Sequence, residues 1–307
     1  MKKEYLFAGI SIIFWGSTAS VMTLLANGLS SISTTFYSSL IAAVFLFFLN
    51  LFTGRLKLLR SLSVQTLLRL ALLGLVGMLS VSMLLYYGLT HLKAQQAFII
   101  NYLWPILITL FAWPILGQRM TIRKTAALLL SFLGVVIVAT EGDFSHLGRL
   151  DAGGVLACVL AASCYAIFSV LNMKVTCDKF AATMIYYTAS ALVILPVLLW
   201  TEGVPVLTLP QWGGALWMGA LSNGLSYATW ALAMDRGDPA KLSNLAYLTP
   251  FVSLIYIFFL LHEPIHWTSL AGLFFILLGV AVQMLPKSKI RDSIPDIKKA
   301  EHTDGFD

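Results

Sequence analysis

Between Glu4 and Glu141 the chain has no aspartate or glutamate, and lysine and arginine are missing from the interiors of its apolar stretches. Only 11% of the 307 residues are charged, against 59% hydrophobic, whereas soluble domains carry about a quarter charged residues. So few ions cannot coat a water-facing surface, which excludes a soluble globular protein; a chain this apolar is neither disordered nor a coiled coil. Three cysteines, Cys158, Cys164 and Cys177, exclude a disulfide framework. They are also too scattered for a metal cage and read as small packing residues, so no metal site is expected.

The motifs of a membrane enzyme are mostly missing as well: there is no Gly-x-Ser-x-Gly and no phosphate loop, and the one His-Glu-x-x-His string, His262–His266, has Pro264 inside it, which disfavours the helix that would set both histidines on one face. Without interior carboxylates the usual general acids and bases are lacking, so no catalytic residue and no cofactor is expected. The same absence argues against a proton-coupled cation exporter, and the lack of interior basic groups against a carrier of phosphorylated sugars. The expected substrate is zwitterionic or uncharged overall, moved down its gradient.

What is present is apolar sequence in runs. A bilayer core about 30 Å thick needs about 20 apolar residues per helix. Ten such stretches fall near 5–26, 32–53, 66–90, 93–116, 122–140, 152–172, 180–200, 211–234, 240–261 and 267–286. Connections such as Asn27–Ser31 are too short to hold an extramembrane domain, and the charged segment 287–307 reads as a disordered cytoplasmic tail. Lys2 and Lys3 precede an apolar run too long for a signal peptide, so the first span is expected to be retained. With the N-terminus in the cytoplasm, 18 of the 20 lysines and arginines fall on the cytoplasmic side, and only Lys93 and Arg149 fall outside. That bias places both termini in the cytoplasm. It also explains the net charge of +6 without nucleic acid as a partner.

The chain repeats itself. At an offset of 145, Tyr102-Leu103-Trp104-Pro105 falls on Tyr247-Leu248-Thr249-Pro250 and Gly134-Val135 on Gly279-Val280; at 150, Phe36-Tyr37 falls on Tyr186-Tyr187 and Trp15 on Tyr165. Two five-span halves, 1–141 and 142–286, follow. An odd number of spans makes the second half enter from the opposite side, so the expected fold is an all-α membrane protein of two inverted five-helix repeats around a central cavity. Pro105 and Pro250 are the expected helix kinks.

Aromatic and small polar residues recur at helical spacing within the spans. Span one offers Trp15 and Thr18, span six Tyr165 and Ser169, span eight Asn223, Tyr227 and Trp230; Tyr102 and Tyr247 precede the two prolines. Tyr37 of span two is a further expected cavity residue. Rings with hydroxyl and amide neighbours suit a flat, partly apolar ligand. Interfacial aromatic belts and helix packing account equally for such residues, and certainly for Trp200, Trp212, Trp217 and Trp267 near span ends. Ala126, Leu130, Gly134, Gly272 and Gly279 read as close-packing positions, within one chain or across a homodimer.

Phe14-Trp15-Gly16-Ser17 in span one, and Asn101-Tyr102-Leu103-Trp104-Pro105 followed by Leu116-Gly117-Gln118, resemble the drug/metabolite transporter superfamily, EamA type. The Asn-Tyr-Leu-Trp-Pro string is most similar to the bacterial aromatic amino acid exporters, although 74–83 offers only Ser80 and Ser82 as polar groups where that branch has larger ones. The resemblance reaches to about Pro286. It implies export of amino acids or related metabolites across the cytoplasmic membrane by alternating access, with Trp15, Tyr102, Trp104, Tyr165 and Tyr247 as cavity walls. Multidrug or quaternary-cation efflux is the alternative.

Overall fold

The computed structural model describes residues 3–59, 62–117, 121–143, 151–236, 245–246 and 248–284, and all regular structure among them is helical. The long helices are α1 (Lys3–Ala26), α2 (Ser31–Phe52), α3 (Val64–His91), α4 (Ala94–Leu116), α5 (Ile122–Ala139), α6 (Ala152–Asn172), α7 (Lys179–Thr201), α8 (209–236), α9 (Thr249–Leu261) and α10 (Trp267–Met284). Among the described residues α1, α2, α3, α4, α6 and α7 are long and apolar enough to cross a membrane. The chain is therefore a multi-pass membrane protein. The tail 287–307 lies outside the described residues.

The polar punctuation of the sequence starts the helices. Ser30 Oγ accepts from Ser33 N, Ser63 Oγ from Thr66 N, Thr121 Oγ1 from Lys124 N, Asp151 from Gly154 N, and Asp178 from Phe180 N and Ala181 N. Each satisfies a backbone donor that a helix start leaves unpaired. Gly117 ends α4 in the left-handed region, with φ of 69°.

The prolines act differently from the expected kinks. The first segment of α4 stops at Asn101; Tyr102 and Leu103 form a turn, and Pro105 sits in the first turn of the segment Trp104–Leu116. Pro250 likewise sits in the first turn of α9. A first-turn proline removes no helical hydrogen bond, because the N–H it lacks would have had no partner there. The bend belongs to Tyr102-Leu103. Interior prolines occur instead at Pro114 and Pro196. Widened π turns interrupt α3 at Leu75–Ser80, α8 at Trp217–Leu225 and α9 at Ile257–Leu261.

Helix pairing between the halves is symmetric: α5 packs on α10 and α2 on α7, while α1 lies against α8 and α9 as α6 lies against α3 and α4. Exchanging the halves leaves this list unchanged. Small residues set the α5–α10 contact. A Cβ at Gly134 would stand 2.5 Å from the Gly272 carbonyl oxygen, and one at Gly279 would stand 2.6 Å from the Ala127 carbonyl oxygen. Ser131 Oγ donates to the Ile276 carbonyl in the same seam. These glycines pack inside one chain, and the α5 stripe is Ala127, Ser131 and Gly134, one residue on from the expected Ala126 and Leu130.

Contacts join the helix connections in three sets. Gln211 Nε2 donates to Gly28 O at 3.0 Å, Ser33 Oγ to Glu202 at 2.8 Å and Gln95 Nε2 to Pro264 O at 2.7 Å, while Lys93 pairs with Glu141 at 2.7 Å. A third set joins Arg55 to Asp178 at 3.7 Å and Lys174 Nζ to Ile115 O at 2.9 Å. Outward-facing Leu72, Phe132, Leu192 and Phe274 are more than half exposed. Such large apolar surface would be a liability in water and is the expected face toward lipid.

Candidate functional site

The string Phe14-Trp15-Gly16-Ser17 puts each of its members to use against the second half. Phe14 meets the ring of Trp217 edge-on at 5.5 Å, and Ser17 Oγ accepts from Trp217 Nε1 at 2.8 Å. Gly16 faces Val252, leaving no space for a side chain. Trp15 touches Tyr227 at a centroid distance of 5.4 Å and Trp230 at 5.3 Å. Consecutive residues point to different neighbours because a helix advances about 100° per residue. The Phe14 carbonyl also accepts from Ser222 Oγ at 3.2 Å, so α1 and α8 are joined by hydroxyls as well as rings.

From Tyr227 the rings continue across the bundle. Tyr187 of α7 lies 6.5 Å away, and the Tyr227 hydroxyl interacts with those of Tyr187 and Tyr165. Tyr165 meets Trp104 edge-on at 5.3 Å and lies 6.0 Å from Phe168, which in turn meets Tyr186 at 5.2 Å. Trp15 and Trp104 come from the first half, Tyr165, Tyr187, Tyr227 and Trp230 from the second. Trp15, Tyr102, Trp104, Tyr165, Tyr227 and Trp230 all keep partial accessibility, whereas Tyr186 and Tyr187 are buried. No member of the group carries a charge at neutral pH.

The remaining expected residues fall in several places. Thr18 Oγ1 donates to Phe14 O at 3.4 Å and Ser169 Oγ to Tyr165 O at 2.7 Å, so each hydroxyl is tied to its own helix, and Ser169 also interacts with the Tyr165 side chain. Asn223 is half-buried in the π turn of α8, one turn before Tyr227. Tyr37 sits apart: its hydroxyl donates to Pro205 O at 2.7 Å and its ring packs between Phe36 and Trp212. Tyr247 lies outside the described residues.

Tyr187 and Asn101 were not singled out from the sequence as site residues. Tyr187 had a signal, its match to Tyr37, but the match does not say which tyrosine reaches the cluster. Asn101 precedes the bend in α4, and its Oδ1 is buried with no hydrogen-bond partner among the described residues. An acceptor in that state has unmet demand for a donor. Elsewhere, a cavity of about 670 Å³ opens between the start of α3 and the end of α6, and none of the ring residues lines it.

Known proteins resemble this chain in sequence and in fold. The chain is 26% identical to the uncharacterized transporters YvbV and YyaM of Bacillus subtilis, over 64% of both chains for the first and over 87% of this chain and 89% of the relative for the second. It is 26% identical to the aromatic amino acid exporter YddG of Ancylobacter novellus across 59% of this chain and 64% of that one. The chain thus spans just under two thirds of YvbV and YddG. A solved structure superposes with a TM-score of 0.66 at 19% identity, covering 92% of this chain and 96% of its own. The EamA-like transporter family matches twice, at residues 2–140 and 152–285, so each packed half answers to one copy of the family's repeat. With both halves matched, the chain belongs to the EamA-like transporter family.

Proposed function

We propose that this transporter exports amino acids, aromatic ones among them, or related zwitterionic or uncharged metabolites from the cytoplasm by alternating access. One observation carries the reading: rings and hydroxyls from both halves converge around Trp15 and Tyr227 with no ionised group among them. Aromatic faces take up apolar substrate surface, while hydroxyls, Asn101 and the backbone at the Tyr102-Leu103 bend meet its polar ends. A fixed charge would favour one end of a zwitterion and repel the other. The relative named an aromatic amino acid exporter supports the substrate class.

In this reading all ten helices cross the cytoplasmic membrane, both termini are cytoplasmic, and the two halves are inverted. Support comes from which connections touch. Those after α1 and α7 meet each other, those after α3, α5 and α9 meet one another, and those after α2, α4 and α6 do likewise, so in these contacts odd-numbered connections meet only odd ones and even-numbered only even ones, as antiparallel crossings require.

Counterflow of labelled amino acids into proteoliposomes, with and without an imposed pH gradient, tests the proposal. Stimulated uptake of aromatic or other neutral amino acids is the expected result. Movement of quaternary cations or dyes without any amino acid flux would replace it with the efflux reading, in which Trp15, Tyr227 and Trp230 face a cation.

A further inference from the structure

The 670 Å³ cavity between α3 and α6 combines two features that neither a soluble anion nor an apolar substrate needs together. Its wall is aliphatic, with Leu72, Leu73, Val76 and Leu171, and its lining also includes exposed Arg69 and Lys174. Leu72 is 63% exposed, so the cavity borders the surface that faces lipid. Arg69 stands five residues into the helical segment that starts at Val64, about 7.5 Å along the axis at 1.5 Å per residue, a depth suited to a headgroup phosphate. Lys174 is held nearby through its bond to Ile115 O at 2.9 Å. Neither base is in an ion pair among the described residues.

We propose that this groove binds one anionic phospholipid, with its phosphate between Arg69 and Lys174 and an acyl chain along Leu72, Leu73, Val76 and Leu171. A free phosphate would leave the leucine wall unused, and a zwitterionic lipid would bring its own ammonium against two cations. Basic pockets between membrane helices recognise anionic headgroups in this way. The inference rests on the membrane placement of the chain; its assignment to the cytoplasmic leaflet rests on the proposed topology, and the substrate is immaterial to it. Because α3 and α6 belong to different halves, a bound lipid spans the boundary between them.

Cys177 lines the same groove and reports on it. The full chain carrying Cys164→Ala is placed in nanodiscs of phosphatidylcholine, with or without phosphatidylglycerol, and the rate of maleimide addition to Cys177 is measured. Rates are taken relative to a thiol at exposed Thr53 in the partner variant Thr53→Cys, which corrects for the surface potential. Phosphatidylglycerol should slow Cys177 by about five-fold, Arg69→Gln with Lys174→Gln should abolish the slowing, and Arg69→Lys should retain most of it. No slowing, equal slowing in the double variant, or equal slowing by inorganic phosphate over phosphatidylcholine would each overturn the site. Native mass spectrometry of the unmodified protein should show one retained phosphatidylglycerol in preference to phosphatidylcholine, and equal retention would also overturn it. Neither readout involves flux, so failure here and failure of the export reading are distinguishable.

Discussion

Trp15 and Tyr227 meet edge to face across the boundary between the halves, with ring centroids 5.4 Å apart and planes inclined by 72°. Trp15 also packs against Trp230 in a tilted contact, with planes at 52°, so one indole supports two rings of α8. Aromatic pairs contribute about 0.5–1.5 kcal/mol each beyond burial, and losing both in Trp15→Ala should lower counterflow by about ten-fold or more at equal protein in the membrane. Tyr227→Phe keeps the ring and removes the hydroxyl that interacts with Tyr165 and Tyr187. A larger loss in Tyr227→Phe than in Trp15→Ala would mean that hydrogen bonding, not ring contact, holds the substrate.

At the α5–α10 seam, Gly134 leaves no room for even a methyl group beside the Gly272 carbonyl. Gly134→Leu should destabilise the purified protein by about 1–3 kcal/mol or more, the cost of forcing extra bulk into a packed interface. Thermal unfolding in detergent should show a clear drop in midpoint, while Leu129→Ala, at a position 64% exposed, should leave it nearly unchanged. Equal midpoints for both would refute the intramolecular seam.

Thiols at Thr53→Cys and Val204→Cys, in a background without the three native cysteines, test the crossing pattern. Thr53 follows α2 and Val204 follows α7, both at exposed positions. With ten crossings the first is cytoplasmic and the second external. An impermeant maleimide applied to intact cells should label Val204→Cys and not Thr53→Cys; labelling of both from one side would end the inverted-repeat proposal.

Cys177 lies in the connection between α6 and α7, where desolvation raises its thiol pKa above the ordinary value of 9.0 and the Lys179 charge partly opposes the rise. The thiolate is the reactive form, so a raised pKa leaves less of it at neutral pH. Maleimide addition should be slower at pH 7 than for a free cysteine and should keep rising through and beyond pH 9. A rate that reaches its plateau below pH 9 would contradict that environment.

Much of this was open to a reader of the sequence alone. Ser30, Ser63, Thr121, Asp151 and Asp178 begin helices because a side-chain oxygen can satisfy a nearby N–H, a relation within three residues. Trp15, Tyr165, Tyr227 and Trp230 were recognisable from aromatic spacing within single helices. The bend in α4 was misplaced by a few residues: proline is the conspicuous letter, yet Pro105 opens a helical segment and Tyr102-Leu103 makes the turn. The π turns at Leu75–Ser80 and Trp217–Leu225 have no proline to announce them.

Composition and periodicity determined that the chain is helical, membrane-bound and built of two related halves, because burial in hydrocarbon and backbone pairing act on short stretches of chain. Tertiary structure alone decided which tyrosine of a matched pair serves the cluster. Tyr187 reaches Tyr227, whereas Tyr37 is held at the far end by the carbonyl of Pro205. It also decided that Gly134 and Gly272 close on each other inside one molecule. Both outcomes depend on which distant backbone atoms arrive alongside, and spacing along a single helix carries no record of that.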